Sequence, residues 1–130
     1  MPRAYTVATA ALTLEVSAKW IDNALSHHRI KGVRQERQGV SRQLTIEGLL
    51  TLSIARMLSA ELGSSVGNAI SIAQRIIAER GKMMLTKGLQ IELDLESFRE
   101  QLLSRLEHAV EVAPLPRRGR PPRNTTGRLE

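Results

Sequence analysis

The residues best suited to chemistry are polar side chains near the start of the chain. Lys19, Asn23 and Ser26 are separated by four and three residues, a spacing that places side chains on one face of a helix. Asparagine suits a paired hydrogen bond with adenine, and lysine suits guanine or phosphate. We therefore expect these residues, with Ser17 at the start of the helix, to contact bases in the major groove of DNA. The alternative is an ordinary solvated helix face.

A second group, Arg34, Arg37 and Arg42, surrounds a glycine-punctuated segment in which only Glu36 opposes the positive charge. Arginines in such a segment bind phosphates, which supplies affinity for DNA without sequence information. We interpret the segment as a basic wing that lies against the DNA backbone. The alternative is a solvent-exposed loop.

A third group lies near the end of the chain, where Arg118-Gly119-Arg120-Pro121 resembles the core of an AT-hook. The resemblance implies that Arg118, Gly119 and Arg120 lie along the narrow minor groove of A·T-rich DNA, where glycine permits close approach and the potential is strongly negative. Short Arg/Pro/Gly motifs also arise by chance. Nonspecific electrostatic tethering is the alternative.

Other chemistries have little support in the sequence. The absence of cysteine excludes disulfides and thiolate metal sites, and the adjacent His27 and His28 are more typical of a helix end or a loop than of a metal site. Glu92 and Asp94 belong to the polar face of a predicted strand, and no phosphate-binding loop or hydrolase motif is present. We therefore expect no catalytic residues, no metal and no cofactor.

Composition points to an acidic partner. The 130 residues carry a net charge of +6 with a pI near 10.7. Residues 1–75 hold nine cations and five anions, residues 76–112 hold five and seven, and residues 113–130 hold five and one. Such asymmetry suggests separate roles for the segments, with nucleic acid as the first candidate partner.

Three aromatic residues, Tyr5, Trp20 and Phe98, are too few for a base-stacking platform. No apolar run approaches the ~18–20 residues of a membrane span, and the N-terminal segment does not have the features of a signal peptide. We expect a cytoplasmic bacterial protein that is associated with the nucleoid and has no membrane partner.

Two short helices are predicted to position the first group of residues. One covers about residues 6–14, and the second runs from an N-cap at Ser17 to about Leu25. A tight turn joins them, which is the layout of a helix-turn-helix. Trp20 is expected to pack against the wing, with contact to the DNA backbone as the alternative.

The next elements follow from caps and turn residues. Gln38-Gly39 predicts the tip of a hairpin, and Thr45 predicts the start of a helix that ends at Gly63. A fourth helix is expected from Ser64 or Ser65 to about residue 80.

Alternation of apolar and polar residues over 89–95 predicts one strand with a buried face. Asp94 is expected to cap a last helix with one apolar stripe. Because a lone strand needs a partner, we expect a homodimer, whose two-fold axis would match pseudo-palindromic DNA. The predicted interface residues are Leu89, Ile91, Leu93, Phe98, Leu102 and Leu106.

The predicted fold class is therefore mainly α. A winged helix-turn-helix domain, including the two helices after the wing, covers residues 1–80, and a strand–helix dimerisation element covers residues 81–112. Residues 113–130, rich in arginine and proline, are expected to form a disordered basic tail.

Two stretches of this sequence carry motifs that occur in a fixed order. Tyr5-Thr6-Val7, Ala11 and Val16-Ser17 match the opening motif, and the run from Arg42 to Leu49 matches the wing and the start of the next helix. The chain thus resembles the MerR-type winged-helix transcription regulators over about residues 5–75. The resemblance implies DNA binding through the second helix and the wing.

Several departures qualify this resemblance. Asp22, Asn23 and Ala24 stand where the family usually has an arginine followed by aromatics, and Leu44 replaces the wing aromatic. The cysteines of metal-sensing members, the long dimer helix and the effector domain are missing. The departures imply a shortened or diverged relative, not a ligand-sensing activator.

Three functions fit these observations. The first is a sequence-specific DNA-binding transcription regulator. The second is an antitoxin that represses its own operon and neutralises a partner toxin, for which a co-transcribed toxin gene would be the discriminator. The third is an architectural protein of the nucleoid, which would bind DNA without sequence preference.

Overall fold

A computed structural model of the protein describes residues 3–35 and 42–112. Helices dominate these residues, which confirms the predicted mainly α class. The elements in chain order are β1 (Ala4–Thr6), α1 (Val7–Leu14), α2 (Ala18–His27), β2 (Val33–Arg34), β3 (Gln43–Thr45), α3 (Ile46–Leu62), α4 (Val66–Ala78), β4 (Lys82–Thr86), β5 (Leu89–Glu92) and α5 (Leu95–Val112). None of the helices in the described part is long and apolar enough to cross a membrane.

Local hydrogen bonds define the turn between α1 and α2. Glu15 adopts a left-handed conformation with φ of 58°, and the backbone N–H of Val16 donates to the carbonyl of Ala11 at 3.1 Å. This bonding pattern is that of a Schellman motif, which closes a helix and redirects the chain. Ser17 then starts α2, as predicted, because its Oγ accepts a hydrogen bond from the Trp20 N–H at 3.0 Å.

Three short strands form a sheet in the order β1-β3-β2. Leu44 of β3 pairs with Tyr5 of β1 on one side and with Val33 of β2 on the other, antiparallel to both, and its side chain is fully buried. Strand β1 was not predicted, because three residues are too few to show a period. The antiparallel pair β2–β3 flanks the predicted hairpin, whose tip at Gln38-Gly39 lies outside the described residues.

The loop before β2 is fastened to the start of α3. The backbone N–H and the hydroxyl of Thr45 donate to the carbonyl of Gly32 at 2.8 and 3.0 Å. Thr45 also caps α3, as predicted, by accepting a hydrogen bond from the Gly48 N–H. A Cβ on Gly32 would lie 2.6 Å from the nitrogen of Gly48, and a Cβ on Gly48 would lie 2.8 Å from the oxygen of Gly32. The two backbones therefore meet where a larger residue does not fit.

Alanine at Gly32 is expected to lower the free energy of unfolding by about 2–4 kcal/mol, measured by urea denaturation. Two costs add there, because Gly32 has a φ of +94° and no space for a Cβ. Gly63→Ala is the matched control, since its φ is +69° with nothing within 4 Å, and it is expected to cost about 1 kcal/mol. Equal losses in the two variants would show that the contact with α3 is unimportant.

The core is built around α3 and α4. Leu49, Leu50, Leu52 and Ile54 of α3 are fully buried, as are Ala69, Ala73 and Ile76 of α4. Gly63 ends α3 in a left-handed conformation and Ser65 caps α4, both as predicted. Helix α4 ends at Ala78, two residues before the predicted boundary.

The prediction of a lone strand over residues 89–95 was wrong. Strand β5 ends at Glu92 and pairs antiparallel with β4 within the same chain. The two strands are joined through Lys87 and Gly88, and Gly88 has a φ of +87°, a conformation that favours glycine in hairpin turns. Strand β5 therefore has its partner in the same chain and needs no second subunit for pairing.

Helix α5 packs against α1 and also contacts α3. Asp94 caps it, as predicted, by accepting a hydrogen bond from the Ser97 N–H at 3.0 Å. The apolar stripe of α5 is buried within this chain, with Leu102, Leu106 and Ala109 each at most 3% exposed. The stripe was predicted, but its partner in the described structure is the helical core of the same protomer.

Candidate nucleic-acid interface

Helix α2 separates a buried face from an exposed polar face. Its inward residues, Ile21, Ala24 and Leu25, are between 0% and 9% exposed. The other face is open to solvent and carries the predicted base-contacting residues Ser17, Lys19, Asn23 and Ser26. Among them, Ser17 directs its Oγ to the cap of α2, so its contribution is to fix where the helix begins.

Trp20 anchors α2 to the rest of the molecule. The indole ring is partly buried against the hydrophobic core, whereas the predicted packing of Trp20 against the wing stays a prediction. The guanidinium carbon of Arg56, on α3, lies 6.0 Å from the ring centroid, within cation–π range. Arg56 and Trp20 therefore form one contact between α3 and α2.

A groove of about 540 Å³ runs between the C-terminal end of α2 and β2. Ser26 from the polar face of α2 lines it, and so does Arg42, the predicted wing residue on the approach to β3. The structure therefore brings one residue from each of the first two predicted groups, the helix face and the wing, to the same groove. The remaining lining residues are Leu25, His27, His28, Arg29, Ile30, Val33 and Gln35.

The electrostatics of this groove favour an anion. Its described lining contains Arg29 and Arg42 but no aspartate or glutamate. Lys31, close by in the chain, pairs with Glu47 at 3.9 Å, but 81% of its side chain is exposed, so this contact neutralises little. A phosphate group that enters the groove would meet positive charge without a competing carboxylate in the described lining.

Arg34 lies on β2, half-buried, and pairs in register with Gln43 of β3. It therefore stands on the strand pair that flanks the predicted wing. Arg37 lies outside the described residues, as do Arg118, Gly119 and Arg120 of the tail. Their predicted contacts with phosphates and with the minor groove stay predictions.

Asp22 and the two histidines complete the surroundings of the site. Asp22 is exposed beside the polar face of α2, where it reduces the local positive charge. His27 ends α2, and its Nδ1 lies 2.8 Å from the carbonyl oxygen of Asn23. Within the described residues, no group of three potential ligands among His, Cys, Asp and Glu comes together.

Sequence reasoning missed Arg29, a basic residue of this groove. Arg29 lies two residues after the end of α2, and its carbonyl accepts a hydrogen bond from the Gln74 side chain at 3.4 Å. The side-chain oxygen of Gln74 also accepts a hydrogen bond from the backbone N–H of Lys31. The sequence shows a basic residue directly after His27-His28. It does not show that Gln74, 45 residues away, fixes the position of this loop.

The predicted dimer residues are divided between surface and core. Leu89 is 50% exposed, whereas Ile91, Leu93 and Phe98 are half-buried. Leu102 and Leu106 are 2% and 3% exposed in the single protomer. They already have partners in this chain, so of the predicted set only Leu89 is largely open to solvent. Dimerisation itself stays a prediction.

Comparison with known proteins adds no relative to this description. No protein-family model, no curated protein and no solved structure matches the chain. The function is therefore inferred from the geometry of α2, of the groove and of the strands beside it.

Proposed function

We propose that the protein is a sequence-specific DNA-binding transcription regulator with a winged helix-turn-helix. In this proposal α2 enters the major groove, and the β2–β3 segment lies against phosphates. One observation carries the proposal: the exposed polar face of α2 is continuous, through Ser26, with a groove that contains Arg29 and Arg42 and has no acidic residue in its described lining.

The geometry supports a division of roles between these elements. Lys19 and Asn23 project from a helix whose opposite face is buried, so they can approach base edges without disturbing the core. Asparagine and lysine are side chains that distinguish bases in the major groove. Arg34 and Arg42, on or next to strands of the small sheet, suit phosphates, which fix the position of a protein on the duplex.

An antitoxin is the second candidate, and one surface favours it. Leu103 and Val110 of α5 are 40% and 41% exposed, and they share a shallow depression with Tyr5. Exposed apolar residues in one patch are typical of protein-binding surfaces. A toxin gene transcribed together with this one would move the assignment toward the antitoxin.

The proposal is tested by equilibrium binding of the full chain to duplex DNA at a series of salt concentrations. Each phosphate neutralised contributes about −0.9 to the slope of log K against log salt, and we expect about 4–8 neutralised phosphates per dimer. An affinity that falls steeply with salt is the expected result. Absence of binding to every duplex at low salt would overturn the proposal.

A further inference from the structure

A second cleft, with a different lining, lies between α1, α3 and α5. Its volume is about 320 Å³, near the lower end of the ~300–1,000 Å³ range of small-molecule sites. Helices α3 and α5 each contribute residues spaced three or four apart, which lie on one face of the helix. The last two residues of α1 complete the lining. The lining is Thr13, Leu14, Ser53, Arg56, Met57, Ala60, Glu61, Phe98, Gln101, Leu102 and Arg105.

The floor of this cleft is apolar. Leu14 and Leu102 are 7% and 2% exposed, and Phe98 and Met57 are partly buried against the same core. The hydroxyl of Thr13 donates to the carbonyl of Thr9 at 2.8 Å, so its hydrogen is already used. A ligand that reaches the floor would therefore need an apolar body.

The rim carries two arginines from different helices, Arg56 of α3 and Arg105 of α5. Among the described residues, neither guanidinium has an acidic partner within 4 Å, since the two salt bridges there join Lys31 to Glu47 and Arg75 to Glu79. A guanidinium presents its donors in a planar fork that fits a carboxylate. Glu61, also on the rim, would repel an anion unless the charge is held at the arginines.

Arg56 connects this cleft to α2. Its guanidinium lies 6.0 Å from the centroid of the Trp20 ring, and Trp20 stands one residue after Lys19 and three before Asn23. A carboxylate that takes up Arg56 would compete with the cation–π contact. Occupation of the cleft would then weaken a contact of α2, the helix that carries the exposed polar face.

We propose that this cleft binds a small organic carboxylate with an apolar body. The carboxylate lies between Arg56 and Arg105, and the apolar body rests on Leu14, Met57 and Phe98. Binding loosens the contact between Arg56 and Trp20 and thereby changes the setting of α2. That this change alters DNA affinity rests on the proposed function; the binding of the carboxylate does not.

The test uses Trp20 as the reporter, since it is the single tryptophan of the chain. The full protein is titrated with cyclohexanecarboxylate, and the neutral cyclohexanecarboxamide and the small acetate ion are titrated as controls. A saturable change in tryptophan fluorescence with the first compound at millimolar concentration, and none with the two controls, is the expected result. No response to cyclohexanecarboxylate, or equal responses to acid and amide, would overturn the proposal.

Two variants distinguish a loss of ligand binding from a change in the fluorescence of Trp20 itself. Arg105→Gln leaves the Arg56–Trp20 pair intact and is expected to weaken cyclohexanecarboxylate binding about tenfold or more, as for loss of a charged hydrogen bond. Arg99→Gln, on the same helix but outside the cleft, is expected to bind as the wild type does. Equal affinities of all three proteins would contradict the proposal. Fluorescence is read without DNA, so its outcome is independent of DNA binding.

Discussion

Replacement of Asn23 by alanine is expected to lower affinity for the preferred duplex by about 1–3 kcal/mol, or roughly 5- to 150-fold, and to change affinity for random duplexes little. The reason is that Asn23 is exposed on the polar face of α2, where its amide can bond an adenine edge. A base contact discriminates between sequences, and its loss removes that discrimination. Fluorescence anisotropy with both duplexes at one salt concentration measures the difference.

Arg42→Gln is expected to fail in a different way. Arg42 lies in the groove beside Ser26 and is proposed to hold a phosphate, so its loss should weaken binding to all duplexes alike and reduce the salt slope by about one.

The control for Asn23→Ala is Asn68→Ala, the same change at an exposed position of α4, which should bind DNA normally. If the Asn23→Ala variant loses the same affinity for the preferred and the random duplexes, Asn23 does not contact a base.

Leu102→Ala is expected to lower the free energy of unfolding by about 2–5 kcal/mol. The side chain is 2% exposed and lies where α5 meets the core, so its removal leaves a cavity that the helix cannot close. Its neighbour Leu103 is 40% exposed, and Leu103→Ala is expected to change stability by less than about 0.5 kcal/mol. Chemical denaturation of both variants measures the difference.

This pair also separates folding from association. If α5 forms a dimer through its outer face, Leu103→Ala shifts the dissociation constant measured by light scattering or sedimentation, while its protomer stability is unchanged. If the two variants lose stability equally, Leu102 is not the residue through which α5 packs on the core. If Leu102 instead faced a second subunit, the loss of stability in Leu102→Ala would depend on protein concentration.

The helix boundaries could be predicted because their signals are local. Ser17, Thr45 and Asp94 each accept a hydrogen bond from the backbone N–H three residues ahead in the helix that they begin. Gly63 ends α3 because a left-handed residue there costs glycine little. Such interactions depend on a few neighbouring residues, and those neighbours are visible in the sequence.

The strands and the partners of the helices could not be predicted in the same way. Strand β1 is three residues long and exists through its pairing with β3, about forty residues away. Strand β4 contains Met83 and Met84, which have no strong strand signal, and the glycine of its turn was overlooked. The close approach of Gly32 to Gly48 and the packing of α5 on α1 are tertiary contacts that no local pattern specifies.

Of the candidate site, the residue types and the helical face were predictable, because helical spacing alone places Lys19, Asn23 and Ser26 together. The groove that joins Ser26 to Arg42 was not, because it depends on how the loop after α2 is held by Gln74. The cleft around Arg56 was also missed, since it combines residues of three helices.

The central claim is that α2 reads DNA sequence, and the most direct measurement is selection from a pool of randomised duplexes by the full chain and by its Asn23→Ala variant. We predict that the wild type enriches a defined sequence, and that the variant enriches the same sequence with one position no longer specified. Enrichment of no sequence by the wild type, or of an identical sequence by both proteins, would contradict it.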